Sequence, residues 1–210
     1  MDYCAFGEDA GDNGHEGALG DALDALNHAQ EAAVRAEERL REAIECMPQG
    51  VVFLDAEGRY ILWNRQYAEI YRKSADLFHP GDRLADTLRQ GVERGDYPEA
   101  IGREEEWLAE RLSQLDNPQG RHEQWLSDGR CVMIEERKTS DGGTIGLRVD
   151  ITEMKHREES FRLLFESNPV PLLVYDPANE TVRAANAAAA EHFGYKIGEI
   201  AGMPAEKLFH

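Results

Sequence analysis

Apolar and polar residues alternate strictly along residues 144–151, and a charged run without Gly or Pro, TEMKHREESF, follows directly. The apolar members of this alternation are Ile145, Leu147, Val149 and Ile151. Strict alternation predicts a half-buried β-strand. The run that follows favours a helix, with Thr152 placed to cap its N-terminus and Glu153 favourable near the positive end of the helix dipole. The pattern therefore predicts a strand joined to a helix without a flexible linker.

A second pattern, with a period of seven, runs through residues 18–47. One series recurs at Leu19, Leu26, Ala33, Leu40 and Met47. Alanines recur three places later, at Ala22, Ala29, Ala36 and Ala43. Such a seam is typical of a coiled coil. A helix folded back onto its own domain is the alternative, but the regular spacing favours a partner helix. The first series is therefore predicted as a homodimer interface.

Between these two patterns the chain alternates between strand and helix signals. Short β-rich runs at 51–55 and 60–63 flank the turn DAEG and predict a hairpin. Amphipathic helical segments follow over residues 64–115, until DNPQG ends them. Three more strands, separated by Asp-Gly turn signals, are predicted at 122–126, 130–138 and 144–151. Two strands, several helices and a three-stranded meander predict an α+β fold.

Part of this plan recurs further along the chain. The segment MPQGVVFLDAEGRYILWN is echoed by NPVPLLVYDPANETVRAAN, at an offset of about 121 residues. The matched pairs are Pro48 with Pro169, Asp55 with Asp176, and Asn64 with Asn186. The second copy stops at His210 before a meander could follow. We therefore expect an incomplete second domain and a longer parent protein.

These residues resemble the PAS family of sensory domains. The resemblance rests on the element DIT at residues 150–152 and on the hairpin GVVFLDAEGRYILWN, and it covers residues 42–152 fully and 162–210 in part. It implies a five-stranded antiparallel sheet flanked by helices, with the hairpin strands beside the last meander strand. Five segments are thus expected: a disordered acidic tail (1–17), a dimerisation helix (18–47), a PAS domain (48–152), a signalling helix (153–167) and an incomplete second PAS domain (168–210).

The resemblance also implies a regulatory role. In PAS proteins the DIT element joins the sheet to the outgoing helix, so Asp150 and Thr152 are predicted to relay signals. The start FESNPVPLLVYD resembles those of proteins that make or degrade cyclic-di-GMP, which suggests such an output in the parent protein. A sensor histidine kinase is the alternative output. A docking platform that binds a protein adaptor and no ligand is the alternative of another class.

A PAS domain of this kind implies a pocket between sheet and helices for an unknown small molecule. Trp63, Tyr67, Trp125 and Met133 are candidates to line it, with the alternative that they belong to the core, where aromatic residues at such positions are more often found. We name no cofactor, because the reactive-cysteine motif of flavin-binding relatives is missing. The context MKHREES around His156 does not match a kinase phosphoacceptor motif, and no nucleotide-binding motif is present. The sequence therefore predicts no enzyme activity within this chain.

Charge and composition narrow the remaining possibilities. The chain has 23 basic and 41 acidic residues, a net charge of −18. Such a balance argues against binding nucleic acid or an anionic membrane. No apolar run approaches the ~18 residues that span a bilayer. The three cysteines are far apart and indicate neither disulfides nor a zinc site. A cytoplasmic protein is expected.

Overall fold

The computed structural model describes residues 13–208, except for the side chains of residues 13–22, 24 and 197. Its first element is helix α1, Asn13–Glu45. The described side chains of α1 are exposed until Ile44, which is buried. From residue 25 to residue 43, the apolar stripe of α1 is therefore left uncovered by the described part of the chain. No helix within residues 13–208 is both long and apolar enough to cross a bilayer.

The bounds of α1 differ from the predicted 18–47 at both ends. Residues 13–17, predicted as part of a disordered tail, belong to the helix, while residues 1–12 lie outside the described residues. The helix includes Gly17 because glycine costs only about 1 kcal/mol inside a helix. It stops before Met47, since the residue that precedes a proline disfavours the helical conformation.

The predicted five-stranded antiparallel sheet is confirmed. Its strands are β1 (Gly50–Leu54), β2 (Tyr60–Trp63), β3 (Arg121–Trp125), β4 (Cys131–Lys138) and β5 (Thr144–Asp150). They lie in the order β2-β1-β5-β4-β3, and every neighbouring pair is antiparallel. Val51 pairs with Leu147, so the first and last strands meet at the centre of the sheet.

The meander turns at the two Asp-Gly pairs predicted from the sequence. Gly129 and Gly142 have φ of 85° and 88°, in the left-handed region that residues with a Cβ rarely adopt. The Oδ1 atom of Asp141 accepts from the backbone N–H of Gly143 at 3.3 Å. Turn chemistry therefore sets the register in which β4 pairs with its two neighbours.

Three helices cover one face of the sheet, which we call the inner face. They are α2 (Arg65–Ile70), α3 (Leu84–Glu93) and α4 (Glu104–Asp116), with short 3₁₀ turns at Ala75–Leu77 and Pro98–Ala100. The core between them and the sheet includes Val52, Tyr60, Tyr67, Leu88, Leu108 and Ile134. Burial of such apolar side chains provides most of the stabilisation of a domain.

The polar residues of β5, and not its apolar ones, face this core. Thr144, Gly146 and Arg148 are buried on the inner face. Leu147 is exposed on the opposite, outer face, where Ile145 and Val149 are half-buried. The outer face of the sheet therefore carries the apolar side of its central strand.

Beyond β5 the chain continues as α5 (Thr152–Glu166) into a second, smaller unit. This unit contains β6 (Leu173–Asp176), β7 (Thr181–Ala185), α6 (Ala187–Phe193), α7 (Ile197–Ile200) and a 3₁₀ turn at Ala205–Leu208. β6 and β7 form an antiparallel pair. A separate apolar cluster, which includes Val182, Ala189 and Ile200, holds the unit together. Its hairpin and helix repeat the plan of β1, β2 and α2.

Candidate functional site

The joint between β5 and α5 is tied to the start of β4. The Oδ1 atom of Asp150 accepts from the backbone N–H of Thr152 at 2.9 Å and from its hydroxyl group. The Thr152 hydroxyl oxygen accepts from the backbone N–H of Cys131 at 2.9 Å. The backbone N–H of Ile151 donates to the Cys131 carbonyl at 2.9 Å. The end of β5, the start of β4 and the first turn of α5 are therefore joined by hydrogen bonds.

The prediction that Thr152 is the N-cap of this helix is wrong. Ile151 occupies the cap position without a side-chain hydrogen bond, and Thr152 is the first helical residue. The reason is that the Thr152 hydroxyl oxygen accepts from another strand, while Asp150 accepts from the N–H of Thr152. Glu153 lies in the first turn, as predicted. Asp150 and Thr152, the two residues predicted as a relay, are thus hydrogen-bonded to each other, and Thr152 is also bonded to Cys131.

Helix α5 leaves the sheet with few contacts of its own. None of its residues is buried. Besides the bonds of Thr152, it is joined to the sheet by an ion pair from Lys155 Nζ to Glu123 Oε1 at 2.8 Å, which raises the pKa of Lys155. Large apolar side chains stay exposed along it, at Met154, Phe161, Leu163 and Leu164. α5 therefore presents an apolar surface that residues 13–208 do not cover.

Two arginines and one glutamate form a buried ionic network on the inner face. Arg148, Arg111 and Glu136 are 1%, 4% and 5% exposed. The Nη1 atom of Arg111 donates to Glu136 Oε2 at 3.0 Å, and Arg148 Nη2 donates to Oε1 at 2.7 Å. Burial alone would raise the pKa of Glu136, but attraction by Arg148 and then by Arg111 outweighs it and lowers this pKa to about 2. The carboxylate is therefore ionised at neutral pH.

Arg148 extends this network to α2 and β3. Its Nε atom donates to the hydroxyl oxygen of Tyr71 at 3.1 Å, and that hydroxyl donates to Gln124 Oε1 at 3.3 Å. The guanidinium carbon lies 5.8 Å from the ring centroid of Tyr67, within cation–π range. Arg148 is also two residues before Asp150 in the same strand. The network thus connects α2, α4, β3 and β4 to the strand that enters the joint.

The four residues predicted to line a pocket separate into two pairs. Trp63 and Tyr67 lie on the inner face, each against Phe78, with ring centroids 5.9 and 5.3 Å from it. Trp125 is 37% exposed and pairs across the ladder with Cys131. Met133 pairs with Val149, a residue of the outer face. Trp125 and Met133 therefore lie away from any space between sheet and helices. On β3 the buried neighbour Gln124 faces inward instead of Trp125, and on β4 the buried neighbours Val132 and Ile134 face inward instead of Met133.

A cleft of about 260 Å³ opens between α4 and β3. Its walls include Arg103, Trp107, Arg111, Gln114, His122 and Gln124. Burial first, and repulsion by Arg111 second, lower the pKa of His122 to about 4. The His122 Nε2 atom is buried and has no hydrogen-bond partner among the described residues. Sequence reasoning missed this site, although the alternation of β3 was a usable signal, since it places His122 and Gln124 on one face.

Asn64 and Asn186 hold matching positions in the two units. Asn64 caps α2 and accepts from the backbone N–H groups of Val51 and Tyr67 at 2.8 and 3.0 Å. Its Nδ2 group donates to the Ile44 and Gln49 carbonyls at 3.0 and 2.8 Å. Asn186 likewise accepts from two N–H groups and donates to three carbonyls, one of them in α5. Each asparagine ties the preceding helix to its own sheet.

The residues predicted as a dimer interface fall partly on an exposed surface. Leu26 and Leu40 are 62% and 61% exposed, and Ala33 between them is also exposed. The side chain of Leu19 lies outside the described residues, and Met47 lies beyond the end of α1.

Among the described side chains, no group of His, Cys, Asp and Glu residues is arranged to hold a metal ion.

Comparison with known families assigns the fold to a class of sensory proteins. A model of the PAS fold matches residues 44–159, and a second model, of the PAS domain, matches residues 159–210. The first match covers more than half of the chain, so the chain belongs to the PAS family. One relative is the Non-motile and phage-resistance protein of Caulobacter vibrioides, 32% identical over 156 residues. The match includes 72% of this chain but only 17% of that protein.

Several solved PAS structures are similar to this chain. One is a domain of a sensory box sensor histidine kinase/response regulator from Geobacter sulfurreducens, with 22% identity and a TM-score of 0.36, covering 55% of this chain and 94% of that one. Another is the PAS domain from Bordetella pertussis BvgS, with 24% identity and a TM-score of 0.36, covering 64% and 99%. At these identities the likeness concerns the fold alone.

Proposed function

We propose that this chain is the sensory module of a signal-transduction protein and passes conformational changes through the β5–α5 joint to output domains of its parent. The observation that carries this proposal is the joint itself. Asp150, Thr152 and Cys131 link strand and helix by side-chain and backbone hydrogen bonds, and no flexible residue separates them. A flexible linker would absorb a strand movement, whereas a direct connection transmits it.

The buried ionic network of Arg111, Glu136 and Arg148 supports the transfer of a conformational change from the inner face of the sheet to α5. Arg148 is held by Glu136 and Tyr71 on the inner face, two residues before Asp150. A rearrangement among these side chains changes the balance of contacts on the last strand. The outgoing helix is weakly held, because none of its residues is buried. A modest shift of β5 would therefore break few buried contacts of α5.

For the output we propose synthesis or degradation of cyclic-di-GMP. The support is the segment FESNPVPLLVYD, which opens the second unit and resembles the corresponding segments of such proteins. Assays of the purified parent protein with GTP and with cyclic-di-GMP test this. Autophosphorylation from ATP would instead identify a histidine kinase. Regulation through a bound adaptor, with no small molecule, would identify a docking platform.

Insertion of two glycines after Thr152 tests the relay. In the full-length parent we expect regulated output to lose its response to the stimulus, while the PAS domain stays folded, because a flexible link cannot pass on a strand movement. The same two glycines inserted after Pro80, in the exposed loop before α3, are the control and should leave regulation intact. Normal regulation after the insertion at Thr152 would show that the joint is only the end of a strand.

We also propose that α1 pairs with α1 of a second copy. The support is the seven-residue spacing of its apolar residues, of which Leu26 and Leu40 are exposed on one chain. A lone helix does not bury such a stripe, and a partner helix with the same spacing does.

The double change Leu26→Glu and Leu40→Glu tests this interface. Charges placed in an apolar seam cost several kcal/mol, so light scattering should report a monomer. Asn27→Glu and Arg41→Glu form the matched control. They have the same spacing, add at least as much negative charge and lie outside the seam, so this variant should remain dimeric. A dimer that survives the changes at Leu26 and Leu40 would place the interface elsewhere.

A further inference from the structure

We propose that the cleft between α4 and β3 binds a small organic carboxylate, held by Arg111, His122 and Gln124. This inference deepens the proposed sensory function and rests on it, since it names the ligand class and the site. The cleft has a volume of about 260 Å³. That space is large enough for a small metabolite.

The charge balance around the cleft points to an anion. Arg111 and Arg148 share a single buried carboxylate, Glu136, which leaves one positive charge in excess among the three side chains. A buried charge is unfavourable unless it is paired. Arg111 also lines the cleft. Its guanidinium has more N–H donors than its two bonds to Glu136 use, and its planar shape matches a carboxylate.

The unpaired nitrogen of His122 is a second observation that supports a ligand in the cleft, and it is independent of the charge balance. Its Nε2 atom is buried without a hydrogen-bond partner in the described part of the chain. A buried polar atom without a partner is unfavourable, and such atoms in native proteins call for an explanation. His122 lines the cleft, so a turn of its ring would bring Nε2 to the cleft surface, where the neutral tautomer with its proton on Nε2 could donate a hydrogen bond to a carboxylate oxygen. The Gln124 side chain, also buried, supplies a further polar group on the same wall.

The rim of the cleft limits which anions can enter. Glu99, Glu110 and Glu123 lie among its lining residues. Arg103 pairs with Glu110, and Lys155 pairs with Glu123, so two of these carboxylates are already neutralised by partners. The remaining Glu99 is exposed and screened by solvent. The rim therefore does not repel a singly charged anion, and the single excess positive charge of Arg111, Arg148 and Glu136 matches one carboxylate better than a multiply charged anion such as phosphate.

Occupancy of the cleft has a direct route to the joint. A ligand carboxylate bound to the remaining donors of Arg111 would share the positive charge of Arg111 with Glu136, and Glu136 is also the partner of Arg148. The attraction between Glu136 and Arg111 would weaken, so Glu136 would interact more strongly with Arg148 in β5. The ligand therefore acts on the strand that continues into α5.

Titrations with butyrate, butyramide and butylammonium test the site, because the three share one skeleton and differ in charge. NMR signals of the His122 ring and the Trp107 indole should shift saturably with millimolar butyrate and not with the other two. The pKa of His122 should rise on binding, because a nearby carboxylate favours the imidazolium. Equal shifts with butyramide, shifts with butylammonium alone, or no saturable shift would each overturn the proposal.

Variants assign the binding to these side chains. Arg111→Lys keeps the positive charge but loses the planar guanidinium that can donate two parallel hydrogen bonds to a carboxylate. His122→Phe removes the imidazole while leaving the ionic network in place. Each should weaken butyrate binding about tenfold or more. Arg137→Lys, on the exposed end of β4, is the control and should bind normally. Unchanged affinity in a folded His122→Phe protein would contradict the site.

The experiments distinguish an error in the proposed relay from an error in the proposed ligand site. If butyrate does not bind but two glycines after Thr152 still abolish regulation, the site is wrong and the relay stands. If butyrate binds but the inserted parent is regulated normally, the relay is wrong and the site stands.

Discussion

Replacement of Glu136 by Gln is expected to lower the free energy of unfolding by about 3 kcal/mol or more. Glu136 is 5% exposed and is the shared partner of Arg111 and Arg148, which are buried as well. Glutamine keeps the size and one acceptor but removes the charge. Two guanidinium groups would then stay buried without a counter-ion, which costs far more than the loss of an exposed ion pair. Urea denaturation measures the difference.

The neighbouring residue supplies the control. Glu135 lies on the same strand with its side chain on the outer face, where it pairs with Arg121 and Arg137, which are both largely exposed. Exposed pairs of this kind contribute about 0–1 kcal/mol. Glu135→Gln should therefore change the free energy of unfolding by less than about 1 kcal/mol. Equal effects of the two substitutions would show that the buried network does not stabilise the domain.

The same comparison has a pH dependence of defined sign. The pKa of Glu136 is lowered from 4.5 to about 2 in the folded protein. A carboxyl group with a lowered pKa stabilises the fold above its unfolded-state pKa, and this stabilisation is lost as the pH falls through the folded-state value. The difference between wild type and Glu136→Gln should be constant at neutral pH and shrink between pH 4.5 and about 2.

Asn64→Asp should also destabilise the protein strongly, by about 3 kcal/mol at neutral pH. Aspartate is as good a helix cap as asparagine, so a residue that only caps α2 would tolerate this change. Asn64 does more, because its Nδ2 group donates to the Ile44 and Gln49 carbonyls. Aspartate would place a buried carboxylate oxygen against these two carbonyl oxygens. Thermal denaturation of the purified variant measures the loss.

Asn168→Asp is the matched control for this change. The Asn168 side chain accepts from the backbone N–H of Val170 at 2.9 Å, a role that aspartate fills equally well. We expect a change of less than about 0.5 kcal/mol there. Acidification should recover part of the stability of Asn64→Asp, since a protonated carboxyl can donate one of the missing bonds. If Asn64→Asp is as stable as wild type, the asparagine acts only as a cap.

Much of the fold could be predicted from local sequence signals. The Asp-Gly pairs require a positive φ at Gly129 and Gly142, and they therefore set the meander. The repeated asparagines Asn64 and Asn186 both cap the helix after a hairpin, which made the second unit recognisable. These features depend on a few neighbouring residues, so the sequence alone determines them.

The candidate site could not be predicted in the same way, because its members are far apart in sequence. Alternation along residues 144–151 defines two faces of a strand but does not say which face is buried. Arg148 points into the core only because Glu136 and Tyr71, brought there by β4 and α2, supply its partners. The same pairing leaves Leu147 on the outer face. The sequence determined the strand and the helix that follows it, and the tertiary structure decided which side became the core, since a buried charge is tolerated only where its partners meet it.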